Sequence, residues 1–132
     1  MTPLSKWAIR IALIYFVATI SLGALALLAK AGLLSPWWLG LRTLHVHLGF
    51  VGWFVQLVFG VGYWILPKFS KGPKRPRAWA AVAAVVFLNV GVLLSLLSPL
   101  WPPSQPAAAS LEFLAAAFFI FHAWPRIKPP AT

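Results

Sequence analysis

The chain has 132 residues, of which 61% are hydrophobic and 9% charged, with a mean hydropathy of +0.88 and a formal net charge of +10. A soluble domain of this size carries about a quarter charged residues, so the balance excludes an ordinary water-soluble fold. The chain contains no cysteine, which excludes disulfides, thiolate ligands, iron–sulfur clusters and cysteine-linked haem.

Four apolar runs, each long enough to cross about 30 Å of hydrocarbon, follow one another along the chain. The first, Trp7–Leu28, has Lys6 and Arg10 at its head and Ala29-Lys30-Ala31 behind it, which resembles a secretory leader with its cleavage site. Its apolar core of about 18 residues exceeds the 7–15 usual in such leaders, so it is expected to remain as a membrane span.

The second run, Leu39–Leu66, contains Thr43-Leu44-His45-Val46-His47-Leu48-Gly49-Phe50-Val51-Gly52-Trp53-Phe54. At the helical rise, His45 lies about 10 Å inside the span, too deep for a short imidazole to reach water. An ionisable residue at that depth marks a functional site by default, and neutral imidazole is a common ligand for haem iron, copper and zinc.

Residues three and four apart share a helix face, and residues two apart diverge. His45 therefore heads a small, polar face of Gly49, Gly52, Gln56, Gly60 and Tyr63. His47 heads a bulky apolar one of Phe50, Val51, Phe54, Val58, Val61 and Ile65, expected to meet lipid or another subunit. Glycines below a histidine either let two helices close up or leave room for a flat macrocycle. With a histidine at the head of the stripe, a metal or haem role for His45 or His47, with Gly49 and Gly52 beside the cofactor, is the favoured expectation. Arg42 precedes His45 by three residues and shares its face nearer the membrane boundary. It serves there as an interfacial anchor or as a partner for haem propionates.

The third run, Trp79–Leu97, contains Asn89 and Ser95; the fourth, Ala107–Trp124, contains His122 and Glu112, the single acidic residue. Asn89 and Ser95, with Tyr15 and Thr19 of the first run, are expected to hydrogen-bond between helices, Asn89 also being a candidate to support a ligand. His122, beside Trp124 and Arg126, is expected in the headgroup layer with solvent to meet it. The proline-rich stretch Pro99–Pro106 is expected as a loop. Residues 1–132 thus read as a single all-α membrane domain, a four-helix bundle with spans at about 7–28, 39–66, 79–97 and 107–124.

Lys6, Arg10, Lys68, Lys71, Lys74, Arg75, Arg77, Arg126 and Lys128 fall on one side of the alternating spans, and only Lys30 and Arg42 on the other. The positive-inside rule then expects a multi-pass protein of a bacterial-type inner (plasma) membrane with both termini cytoplasmic. The basic stretch Lys68–Arg77 is explained by anionic lipid of the bilayer, and no nucleic-acid partner is expected.

The pair His45-Val46-His47, followed by Gly49, Gly52, Trp53, Gly60, Tyr63 and Pro67, resembles the catalytic subunit of the haem–copper oxidase and nitric oxide reductase superfamily and short bacterial proteins related to it. In oxidases of that family one membrane helix carries a His-x-His pair whose imidazoles ligate two neighbouring haems. The resemblance implies haem b as cofactor, with His45 as one axial ligand and His47 as another. That subunit has twelve helices in three groups of four, so it also implies a symmetric homotrimer of this four-helix chain, with a haem taking an imidazole from each of two copies. The family's copper site needs three more histidines, one of them four residues from a tyrosine, whereas this chain has only His122 left and no His-x-x-x-Tyr. Oxygen reduction with proton pumping is therefore not expected, and no catalytic residue is assigned.

Three classes of function follow from the sequence. The first is a haem membrane protein built like a minimal oxidase core, acting in electron transfer, gas sensing or haem handling with respiratory-chain proteins as partners. The second is a copper or other metal carrier for oxidase assembly, which the lack of cysteine and the single methionine disfavour. The third is a cofactor-free structural subunit whose glycines are packing seams.

Overall fold

The computed structural model describes residues 1–69 and 74–127. The basic residues Lys71 and Lys128 lie outside these described residues. Four helices are long and apolar enough to cross a membrane: α1 (Pro3–Lys30), α2 (Pro36–Ile65), α3 (Ala78–Leu96) and α4 (Ser104–Arg126). No strand occurs among the described residues.

Local chemistry sets the helix ends. Thr2 caps α1 by accepting from the backbone N–H of Ser5, with Pro3 in the first helical position, where its missing N–H costs nothing. At the far end Gly32, at φ 76°, lets the chain turn back toward α2. Ser35 caps α2 through the N–H of Trp37, again ahead of a proline. The helix α4 begins at Ser104, so the expected loop Pro99–Pro106 is shorter than the prolines suggested. Pro106 falls in the first turn, where the orphan N–H groups make it harmless.

The helix α2 is not uniform. It opens as a 3₁₀ segment over Pro36–Leu41, is α-helical over Arg42–His47, widens to a π-helix over Leu48–Val55, and returns to α over Gln56–Ile65. Bonds from i to i+5 put more residues into each turn, yet Phe50 and Phe54 still stack with ring centroids 5.9 Å apart. Both faces nevertheless persist through it: Gly52, Gln56, Gly60 and Tyr63 are buried, whereas Phe50, Phe54, Val58 and Ile65 are exposed.

Helices α1 and α2 run antiparallel along a glycine seam. Gly49 faces Thr19, Gly52 faces Tyr15, and Gly60 faces Ala8 and Ile9. Helices α3 and α4 form a second antiparallel pair, joined to α2 by a core of Phe59, Ala84, Leu88 and Ala115. Phe59 and Phe119 stack with ring centroids 4.1 Å apart. Alanines 8, 12, 80, 81, 84, 108 and 115 are all buried at helix contacts. In hydrocarbon, close backbone approach and polar pairing hold helices together, because lipid tails remove the hydrophobic drive between them. Large apolar side chains such as Leu13, Val17, Phe50, Phe54, Val86, Phe113 and Ile120 point outward. At mid-depth Tyr15 donates to Asn89 Oδ1 at 3.0 Å and Asn89 donates to Gln56 Oε1 at 3.3 Å, tying α1, α3 and α2 together.

Both described chain ends and the described residues 66–69 and 74–77 between α2 and α3 lie at one end of the bundle, called here the terminal end. The connections 31–35 and 97–103 lie at the opposite, loop end.

Candidate functional site

The two histidines of α2 part toward different neighbours. His45 turns to α1, where its Nδ1–H donates to the backbone carbonyl of Thr19 at 2.8 Å. A carbonyl can only accept, so Nδ1 carries the proton and Nε2 is left as a lone pair with no protein hydrogen bond. The ring lies on Gly23: a Cβ there would come within 2.8 Å of Cε1 and 3.1 Å of Nδ1. Gly23 and Thr19, one turn apart on α1, thus fix both the position and the tautomer of this imidazole.

His45 lines an open groove of about 950 Å³ between α1 and the start of α2. Its apolar wall is Ile20, Gly23, Ala24, Ala26 and Leu27, and Lys30, Arg42 and Leu39 complete it toward the loop end. Arg42 and His45 therefore share one groove, as their spacing predicts. Gly49 and Gly52 do not open into it. The space they leave is filled by Thr19 and Tyr15, so they close the α1–α2 seam, while Gly23 on α1 supplies the flat surface beside His45.

His47 itself departs from the expectation that its face meets lipid or another subunit, whereas Phe50, Phe54, Val58 and Ile65 are exposed as that face requires. Its Nε2 lies 2.9 Å from Glu112 Oε1 on α4 and 3.0 Å from Ser95 Oγ on α3. Phe50 and Phe54, predicted on the same face, do point outward, while the His47 imidazole stays inside. Ser95 Oγ also donates to Glu112 Oε1 at 3.3 Å. Gly91 makes room for this carboxylate, since a Cβ there would lie 2.7 Å from Glu112 Cγ. Serine and carboxylate meet the same ring nitrogen, so the three cannot act as a Ser–His–acid relay, which needs them on opposite nitrogens. A cavity of about 400 Å³, lined by Thr43, His47, Ser95, Ser98 and Gln105 among others, runs from this cluster to the loop end.

His122 is also corrected: it is buried rather than solvated. Its Nδ1–H is shared between the carbonyls of Pro76 and Arg77, each at 3.1 Å, and its Nε2 accepts from Arg126 Nη1 at 2.7 Å. Arg126 in turn donates to the carbonyls of Tyr63, Leu66 and Pro67 at the end of α2, the negative end of that helix dipole. His122 therefore holds the connection between α2 and α3 and has no nitrogen left for a metal. Arg77, whose carbonyl His122 bonds, sits at φ 56°, a left-handed position uncommon for a side-chain-bearing residue, held by these contacts and by its own bond to Phe121 O at 3.2 Å.

Among the described residues no three His, Asp or Glu side chains converge on one point. The fold and the site together define a four-helix protein of membrane-spanning character with one half-buried imidazole whose free nitrogen borders an apolar groove. In comparison with known proteins, the chain matches no family model, no curated protein and no solved structure.

Proposed function

We propose that the chain is a haem-binding membrane protein in which His45 Nε2 is an axial ligand to the iron. The observation that carries this reading is the bond from His45 Nδ1–H to Thr19 O. Metal-ligating histidines nearly always donate their other ring N–H to a carbonyl or carboxylate, which fixes the tautomer and raises the basicity of the ligating nitrogen. A lone pair left unbonded inside hydrocarbon carries a desolvation cost that coordination removes.

The residues present fit such a group. A groove of about 950 Å³ falls within the size of sites that bury small molecules and cofactors. Its wall is apolar, and Lys30 and Arg42 stand on it at the loop end, where two propionate carboxylates find cationic partners. Bound there, haem b supplies a one-electron iron couple and, with a coordination position open, a site for a diatomic gas.

His47 is engaged with Glu112 and Ser95, and His122 with Arg126 and two carbonyls. No further histidine of this chain stands beside His45, so a second imidazole for the group would have to come from another copy, in keeping with the homotrimer that the resemblance to the oxidase subunit implies. Electron transfer between respiratory-chain proteins is the role that two imidazole ligands favour, and oxygen reduction is not, because no further histidine joins His45. On this reading the terminal end, rich in basic residues, faces the cytoplasm of an inner (plasma) membrane. A copper carrier gains no support from a single free imidazole. A cofactor-free structural subunit is the second reading, favoured by the packing of Gly49 and Gly52 on Thr19 and Tyr15. Haem content of detergent-purified wild type, assayed as the pyridine complex, separates the two: haem in stoichiometric amount supports the proposal, and none supports the structural subunit.

A further inference from the structure

The terminal end of the bundle brings two guanidinium groups together with no carboxylate among the described residues beside them. Arg126 is 1% exposed and is met by carbonyls and by His122. Arg75, just before α3, is partly exposed, and its Nε and Nη2 are buried and make no hydrogen bond. The two guanidinium carbons lie 5.2 Å and 5.7 Å from the centroid of the same ring, that of Tyr63, so the second cation is held close to the first. The sequence contains one acidic residue, Glu112, and it is committed to His47 near the loop end. Buried guanidinium donors left without acceptors or a counter-charge are costly. Helix α2 ends at Ile65 and α3 begins at Ala78, which puts Arg75 at the depth where spans meet the headgroup layer.

We infer that Arg75, backed by Arg126 across Tyr63, binds one phosphate monoanion, supplied by the headgroup of an acidic phospholipid. A planar fork of N–H donors matches phosphate oxygens, and a pocket of basic residues between helix ends is the usual setting for such a headgroup. The ring of Tyr63 keeps the two cations oriented without neutralising either. This inference does not depend on haem.

The test uses delipidated full-length protein in detergent, titrated with phosphatidylglycerol or phosphatidylcholine and read by native mass spectrometry, beside Arg75→Gln and Lys74→Gln. Lys74 is exposed, so its variant makes the same charge change outside the cluster. One phosphatidylglycerol is expected to bind the wild type, about tenfold more weakly to Arg75→Gln, and almost unchanged to Lys74→Gln. Millimolar inorganic phosphate is expected not to displace the lipid; displacement would make free phosphate the ligand and overturn the lipid assignment. Equal binding of phosphatidylcholine to the wild type, or equal loss in the two variants, would overturn the site. The lipid comparison on the wild type requires no variant to fold.

Discussion

His45 and Thr19 are joined by a 2.8 Å hydrogen bond from imidazole Nδ1–H to a carbonyl that already belongs to the backbone of α1. The bond makes the tautomer of one side chain a property of helix packing. Because Gly23 lies one turn on from Thr19 without a Cβ, the ring reaches that carbonyl and leaves Nε2 unbonded beside the groove.

Gly23→Ala tests that dependence without touching the ligand itself. The new Cβ would sit 2.8 Å from His45 Cε1, so the ring must move off the Thr19 carbonyl. Haem affinity, measured by titration in detergent, is expected to fall by about tenfold or more, the usual loss when the support of a metal ligand is removed. Unchanged affinity would detach the Thr19 bond from the site.

The glycine seam predicts a contrast between two substitutions of identical chemistry. A Cβ on Gly60 meets Ile9 Cγ1 at 2.9 Å and the Ile9 backbone nitrogen at 3.3 Å, whereas one on Gly40 meets nothing within 4 Å. Gly60→Ala is expected to destabilise the bundle by about 1–3 kcal/mol through overpacking, with Gly40→Ala near neutral. Unfolding in mixed micelles measures both.

His122→Ala is expected to cost about 2–3 kcal/mol, because it strips Arg126 of one acceptor and the carbonyls of Pro76 and Arg77 of their donor. Its visible spectrum is expected to match that of the wild type, since the residue is far along the bundle from His45. A changed spectrum with full stability would reverse the two roles.

Glu112→Ala and Gly91→Ala attack one contact from two helices. The first leaves His47 and Ser95 without their carboxylate, and the second pushes that carboxylate away, with its Cβ 2.7 Å from Glu112 Cγ. Each is expected to cost about 1–2 kcal/mol, and the double variant less than the sum, because both remove the same interaction. Additive losses in a double-mutant cycle would show the two sites to be independent.

The four spans were legible because each is a long apolar run bounded by prolines, glycines and basic residues, and the ends moved only by a few residues. The faces of α2 were legible only in part. His45, Gly49 and Gly52 share the α1 side as their spacing predicts. The outward placement failed for His47 alone, whose imidazole turns to Glu112 and Ser95, while Phe50, Phe54, Val58 and Ile65 are exposed as their spacing predicts. Glu112 is the one carboxylate and His47 one of three histidines, so their pairing could have been proposed from scarcity alone. His122 resembled an interfacial residue by its neighbours, whereas the strained turn at Arg77 and the buried Arg126 that it serves are visible only in three dimensions. Gly23 and the Thr19 carbonyl carried no signal, since a backbone acceptor is the same in every sequence.

The central claim is that His45 Nε2 ligates haem iron, and the reduced-minus-oxidised visible spectrum of purified protein, beside His45→Ala, tests it most directly. The account predicts sharp α and β bands in the wild type that disappear in His45→Ala while helical content is retained. A colourless wild type, or bands that survive in His45→Ala, would contradict it.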